Sequence, residues 1–448
     1  MRRGVIVQGL GFGDEGKGAT VDFLARALSA ELVVRFSGGS QAGHNVVLPD
    51  GRCHTFSQFG AGTLAGAATY LGRQMIIHPR AMHREAAHLF ELTGNDPFEQ
   101  LQVHPQALVT TIYHQELNRL RELARGAHRH GSCGHGIGET RSYWLKYGSD
   151  AIFAADLHDD ESLEPKLELL RQRALLEMQE FIAAVPPAEG FRTSIFRESA
   201  ASVARELHSL GRPLDMSATI PAACVTIFEG AQGILLDEWR GFHPHTTWCT
   251  VTLEPALDMA EELGIEELCT LGLTRAYLTR HGAGPMPTYD AEFDARMSDP
   301  GNPRNPWQGG IRFGWLDLVL LRYAAYVAGG QLGGLVVNGL DQVNDEQLKL
   351  ASGYRMPDGT QVTDLPISEM PNLATQETLT NLLAQIIPAY ESLTKHELCQ
   401  RLANEIAPLT ILGNGRTWQE RTLHHLPFRR FNASAAEVAC NDLEKTPC

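Results

Sequence analysis

Residues 5–25, VIVQGLGFGDEGKGATVDFLA, constrain this chain more than any other stretch. Val5, Ile6 and Val7 form a short β-branched apolar run, which reads as a buried strand. A glycine-rich loop from Gly9 to Gly18 follows, and Thr20, Val21, Phe23, Leu24 and Leu28 then recur at roughly helical spacing. Strand, glycine loop and helix together bring backbone N–H groups to bear on an anion at the helix start. From Gly11 to Lys17 the spacing fits G-x-x-x-x-G-K, but Gly18 stands where a Ser or Thr normally helps to hold magnesium. Asp14, inside the loop, is the natural replacement, because Mg²⁺ takes hard oxygen ligands shared with phosphates. The same residues also suit a plain tight turn, so the loop needs company before it specifies a function.

That company follows at once. Glu31–Phe36 reads as a second strand and runs into Ser37-Gly38-Gly39-Ser40-Gln41-Ala42-Gly43-His44-Asn45. Two such loops after two early strands are expected side by side at the carboxyl edge of a parallel sheet, where open α/β folds bind ligands. His44, between glycine and asparagine in a loop, is poorly placed for a core. With Asp14 it offers an imidazole and a carboxylate beside a phosphate cradle, the parts needed for base-assisted phosphoryl transfer.

A chain of 448 residues is long enough for a large core. We expect a single α/β domain over 1–448, with a large, mainly parallel central sheet, a P-loop-like start and helical subdomains. The net charge of −15 argues against broad nucleic-acid binding while leaving room for a local basic pocket. No apolar run approaches the ~20 residues of a membrane span, and Met1-Arg2-Arg3-Gly4 enters the first strand without a signal-peptide pattern. The eight cysteines are dispersed and include no C-x-x-C pair. Reduced thiols and a cytoplasmic location are expected.

GDEGKG followed by an A-G-H loop resembles the adenylosuccinate synthetase family, GTP-dependent ligases that join aspartate to IMP. Other blocks keep step with it. Tyr113 to Ala127 resembles the helix that precedes the family's T-T-G-R-G-I-G loop, here Ser132-Cys133-Gly134-His135-Gly136-Ile137-Gly138. Phe228 to Asp237, FEGAQGILLD, is nearly word for word the family's F-E-G-A-Q-G-T-L-L-D. His281 to Thr288, Gly314 to Asp317 and Tyr354 to Gly359 match three further blocks, so the likeness spans nearly the whole chain.

The resemblance implies roles position by position. Asp14 would remove the purine N1 proton and ligate Mg²⁺, His44 would act as general acid, and Lys17 would neutralise charge on the transferred phosphoryl group. The Gly43 carbonyl would be a second magnesium ligand. Gly13, Glu15, Gly16, Lys17, Gly18, Gly43, His44, Asn45, Asp341, Gly413 and Gly415 would hold the triphosphate nucleotide. Asp14, Gln41, Ser132, Cys133, Gln232, Thr247 and Arg312 would hold the purine monophosphate and the amino acid. A homodimer is also implied. The chemistry is coherent, because phosphorylating a purine oxygen converts a poor leaving group into one that an amine displaces.

Departures from the family are equally specific. Its T-T-G-R-R-R-R-T loop, which grips aspartate, is here Asn305-Pro306-Trp307-Gln308-Gly309-Gly310-Ile311-Arg312-Phe313, leaving Arg312 with Arg304 just upstream. A dicarboxylate needs charge-assisted, bidentate partners, and most of those are missing. The guanine-reading T-K-x-D is Asn338-Gly339-Leu340-Asp341, which keeps the aspartate and loses the lysine. Leu412 to Thr417 resembles the base-contacting turn, which leaves GTP and ATP both open. Cys133 replaces a phosphate-binding threonine. The arginine lent across the family's dimer interface falls near Tyr147, with Arg141 or Lys146 as substitutes.

His128, His130, Cys133 and His135 are clustered but fit no zinc-finger spacing. Residues 160–220 carry Leu-rich helical periodicity and read as a peripheral helical layer. The expected activity is therefore NTP-driven phosphorylation of the IMP 6-oxygen, then displacement by the amine of aspartate. The alternatives are a paralogue using a modified purine or another amine donor, and a catalytically silent nucleotide-binding protein.

Overall fold

Val5, Ile6 and Val7 lie in the strand Arg3–Gly9 and are fully buried. Parallel strands flank it on both sides, Val225–Gly233 on one and Glu267–Arg275 on the other, which is why its apolar run is continuous and not alternating. A computed structural model describes residues 1–185, 196–302, 304, 307–330, 332–346, 348–368 and 372–431. In space the large sheet runs Asp215–Met216, Leu101–Val103, Ala68–Leu71, Leu32–Arg35, Val225–Gly233, Arg3–Gly9, Glu267–Arg275, Gly334–Asn338, Leu409–Gly413, Arg421–Leu423. All neighbours in that order are parallel until Arg421–Leu423, which closes the edge antiparallel. Arg429–Arg430 adds a short antiparallel pairing to Glu267–Arg275.

The second strand of the sequence, Leu32–Arg35, forms as expected but does not neighbour the first. Val225–Gly233 is inserted between them and pairs in parallel with both. Read along the chain, FEGAQG is a motif; in the fold it is also a central strand, buried from Thr226 to Gly233. The two early loops still meet at the carboxyl edge, because this strand passes between them.

The first helix, Lys17–Leu28, begins behind Gly16, whose φ of 87° places it in the left-handed region, and no side chain caps the helix start. Its first N–H groups are thus left for an external anion. Helices Asp160–Phe181 and Ala200–Gly211 form the expected outer layer and pack on each other. Leu163, Leu167, Leu170 and Ala174 make the inward stripe and join the main core. A second core cluster lies around the antiparallel pair Tyr277–His281 and Ile311–Asp317, whose register sets His281 opposite Ile311. Asn305 and Pro306, at the start of the divergent loop, and the tail beyond 431 fall outside the described residues.

Packing is tight beneath the glycine loop. The Glu15 carboxylate fills space beside Gly9, Gly11 and Gly233; an added Cβ at Gly9 would sit 2.9 Å from its carboxyl carbon. At Gly233 a Cβ would overlap the Gly11 carbonyl, with the carbonyl carbon at 2.6 Å, and backbone cannot swing aside as a side chain can. Gly310, by contrast, has open space around it. Urea unfolding should therefore show Gly233→Ala destabilised by about 1–3 kcal/mol, and Gly310→Ala within about 0.5 kcal/mol of the parent.

Candidate active site

The loop after the first strand is braced from below. Glu15 Oε1 accepts the Gly13 N–H at 2.7 Å, and Oε2 accepts from Lys17 Nζ at 3.0 Å. Lys17 Nζ also donates to the Gly13 carbonyl at 2.6 Å. Asn338 Nδ2 donates to the Glu15 carbonyl at 2.8 Å, tying the loop to the strand Gly334–Asn338.

Above the helix start is a cavity of about 380 Å³. Gly13, Asp14, Gly16, Lys17, Gly18, Gly43, His44, Asn45, Asp341 and Gly415 line it, all singled out from sequence. Arg416, from the base-contacting turn that the sequence suggested, lines it as well, with Arg275, Tyr277 and Arg421, which sequence reading did not select. Glu15 and Gly413 do not face this cavity: Glu15 turns under the loop, and a Cβ at Gly413 would meet the Asn338 side chain.

Two titratable side chains of the cavity stand out, Asp14 and His44. The Asp14 carboxyl is buried, which raises its pKa, with Glu15 adding to the rise and His281, Arg275 and Lys17 opposing it. Its backbone carbonyl accepts from Arg275 Nε. His44 follows the other loop and, contrary to the loop position expected from sequence, is buried as the first residue of the strand His44–Val47. Its Nδ1 is 2.5 Å from Glu229 Oε1 and its Nε2 is 3.0 Å from the Ala231 carbonyl. Both partners accept hydrogen bonds, so only the doubly protonated ring satisfies both. Burial nevertheless pulls the His44 pKa down, against the upward pull of Glu229. A proton placed by geometry and expelled by burial is one that is readily given up.

Glu229 stays ionised. Burial raises its pKa, but Arg35, His44 and the Ala61 N–H, donated at 2.9 Å, together bring it below the usual carboxylate value. Glu229 and Arg35 are thus the residues behind His44. The sequence signals for Glu229 were its place in the FEGAQGILLD block and an acidic residue in the middle of a buried strand.

The remaining candidates, Gln41, Ser132, Cys133, Gln232, Thr247 and Arg312, do not line this cavity. Gln41 Nε2 lies 4.0 Å from Cys249 Sγ, and the Oε1 atoms of Gln41 and Gln232 are buried without partners. Those atoms lie near Gly39 and Gly38 respectively. The Thr247 N–H donates to the Leu236 carbonyl at 2.7 Å. Helix Ile112–Arg125 fixes the loop of Ser132 and Cys133: Ser132 Oγ donates to Asn118 Oδ1 at 2.9 Å, and Glu122 accepts the Gly131 and Ser132 N–H groups. Burial pushes the Cys133 thiol up to about 11, so it stays protonated. Arg141 lines a second cavity of about 450 Å³ with Ser37, Arg73, Trp144 and Trp248, whereas Lys146 is exposed and paired with Glu177. Arg312 Nη2 donates to the Gly282 and Gly284 carbonyls at 2.7 and 3.1 Å.

Oxygen ligands and proton-transfer groups gathered over an open helix start, at the carboxyl edge of a parallel sheet, place the chain among the phosphate-handling α/β enzymes. Comparison with known proteins narrows this. A family model described as adenylosuccinate synthetase matches residues 6–405. The adenylosuccinate synthetase of Xylella fastidiosa strain 9a5c is 32% identical over 381 residues, covering 80% of this chain and 82% of that protein. That of Stenotrophomonas maltophilia strain R551-3 is 33% identical over 374 residues, covering 79% and 81%. Among solved structures, the fully ligated adenylosuccinate synthetase of Plasmodium falciparum shares the fold with a TM-score of 0.76 at 20% identity, covering 94% of this chain and 99% of that one. The cyanophage S-2L succinoaminodeoxyadenylate synthetase, bound to dGMP and dATP, gives a TM-score of 0.56 at 14% identity over 99% of both chains. The chain belongs to the adenylosuccinate synthetase family, ligases of purine biosynthesis.

Two outcomes follow for the acid–base pair. Glu229→Gln removes the carboxylate that keeps a second proton on His44, and kcat should fall about 10–100-fold with little change in KM, read by steady-state kinetics. For Asp14 the sign is set by its raised pKa. Above the ordinary carboxyl value of 3.8 the unfolded chain ionises first, so this group's contribution to stability declines as pH rises. Asp14→Asn should therefore raise the melting temperature of the ligand-free protein at neutral pH, while at pH 3 the two melt together; differential scanning calorimetry reads both.

Proposed function

We propose that this chain catalyses NTP-dependent phosphorylation of the 6-oxygen of IMP, followed by displacement of phosphate by the amine of aspartate, giving adenylosuccinate. The observation that carries this reading is the meeting of Asp14, Lys17 and His44 in one cavity over an uncapped helix start. Nucleotide binding alone requires neither a base nor an acid. Asp14 takes the N1 proton, which makes O6 the nucleophile, and His44 Nε2–H, on leaving the Ala231 carbonyl that it meets here, donates toward the phosphoryl oxygens. Lys17 has three N–H bonds, of which Gly13 and Glu15 engage two, so one remains for the transferred group. Gln41, Gln232, Thr247, Ser132 and Cys133 would hold the monophosphate, and Asp341 the base of the triphosphate.

Magnesium fits the residues present. Asp14 and Gly43 line the same cavity and offer a carboxylate and a carbonyl, and the phosphates supply the other hard oxygens. When bound, Mg²⁺ neutralises charge on the transferred group. We take the chain to act as one domain, in the cytoplasm, as a homodimer.

One observation favours a different amine donor. Arg312, the only arginine in the stretch 305–313, spends its Nη2 on two backbone carbonyls. Phosphate release from GTP and IMP, with aspartate and then with other amino acids, separates these readings. Release that requires aspartate supports the first; release with another amine and not aspartate supports the second; none with any donor ends both. Asp14→Asn should lower turnover at least about 100-fold while GTP affinity by equilibrium dialysis changes only about threefold or less.

A further inference from the structure

The Asp14 carboxylate has one side chain within ion-pair distance among the described residues. His281 Nε2 stands 3.5 Å from Asp14 Oδ2, and the two side chains are only 17% and 15% exposed. His281 ends the strand Tyr277–His281 and is held there by antiparallel pairing with Ile311. By the two-residue period of a strand it leaves the same face as Tyr277, which lines the cavity that also contains Asp14. Arg280 leaves the other face and is bound to the carbonyls of Ala283, Pro285 and His245.

The ring's protonation follows from its surroundings. A lone pair on Nε2 would face the lone pairs of the carboxylate, so the N–H belongs on Nε2. Nδ1 is then an acceptor, and Nδ1 is buried with no partner. An unpaired buried acceptor is better tolerated than an unpaired donor, which favours the same tautomer. At 3.5 Å the contact is longer than a formed hydrogen bond, as catalytic contacts often are before substrate tightens them.

We infer that His281 is a positioning residue: its Nε2–H holds one oxygen of Asp14, so that the other faces the purine N1. The inference rests on the phosphoryl-transfer reading above. In that step the γ-phosphorus loses its bond to the β–γ bridging oxygen and gains one to O6. The N1 proton passes to the oxygen of Asp14 that His281 leaves free.

Three variants test it: His281→Val removes the donor, His281→Gln keeps an N–H near the position of Nε2, and His281→Asn places one near Nδ1, out of reach of Asp14. With GTP, IMP and aspartate, His281→Val and His281→Asn should lose about 10–100-fold in kcat, with KM for both nucleotides within about twofold, and His281→Gln should recover most of the loss. Positional isotope exchange in bridge-labelled GTP, with IMP and no amine, should fall by the same factor. IMP binding by calorimetry and the melting temperature of each variant report folding separately. Full kcat in His281→Val, equal loss in the Gln and Asn variants, or a loss confined to KM overturns the inference while exchange in the parent leaves the phosphoryl-transfer reading intact. Absence of exchange in the parent overturns that reading and this inference with it.

Discussion

A buried carboxylate beneath the phosphate loop, that of Glu15, is the interaction the site depends on. An isolated charge in that position would be costly. It is tolerated because it takes the Gly13 N–H and the Lys17 ammonium directly. The glycines at 9, 11 and 233 are the steric condition for this arrangement, since each leaves room that the carboxylate occupies. The result is a loop whose lysine is fixed before any phosphate arrives, so little ordering remains to be done on binding. It also explains why a residue expected at the nucleotide turns away from it: Glu15 organises the cradle from below.

Around that cradle, charge is distributed against the average of the chain. The protein carries a net −15, yet Lys17, Arg275, Arg416 and Arg421 converge on one cavity. Local potential, not net charge, governs the approach of a polyanion. Arg275 is anchored to Asp299, Tyr277 and the Asp14 carbonyl, so its position is set by the protein. Arg421 is pushed down to about 10 by burial, partly offset by Asp22 and Glu420, a cation that an incoming phosphate would relieve. Asp14 and His44 sit in the same field, each with a partner behind it, His281 for Asp14 and Glu229 for His44.

How much of this was legible in the sequence depended on whether the determinants were local. The strand Arg3–Gly9, the loop and the helix Lys17–Leu28 are written in adjacent residues, and the helices Asp160–Phe181 and Ala200–Gly211 follow from their leucine spacing. The position of Val225–Gly233 between the two early strands is not local. It is fixed by pairing across some 200 residues, for which one sequence holds no register signal. Glu229, Arg35, Arg275 and His281 were missed for the same reason: each acts on a residue distant in the chain. Asp14 could be picked out because a polar residue in a glycine-rich loop has no structural role to absorb it. His44 was expected in a loop too, but it opens the strand His44–Val47, opposite Phe56, and is buried, a placement set by pairing that local sequence did not show.

The departures from the family pattern become intelligible once neighbours are considered. Gly339 stands where the family has a lysine, and its φ is +71°. An added Cβ would lie 2.8 Å from the Tyr277 ring, so backbone and packing both hold this position to glycine. Asp341 and Gly415 still reach the cavity on either side of it, so the turn keeps its place although the lysine is gone. At the other departure, Trp307 lies against Gly134 and beneath the Arg119 guanidinium, and Arg312 closes on the carbonyls of 282 and 284. Burial also lowers the Arg312 pKa, only partly opposed by Tyr289 and Asp294. Nη2 of Arg312 thus stabilises the loop it belongs to, while its Nε is buried without a hydrogen-bond partner. The glycine loop and the His44 region thus retain the family's residue types, while the stretch 307–313 has been rebuilt around aromatic packing and backbone contacts.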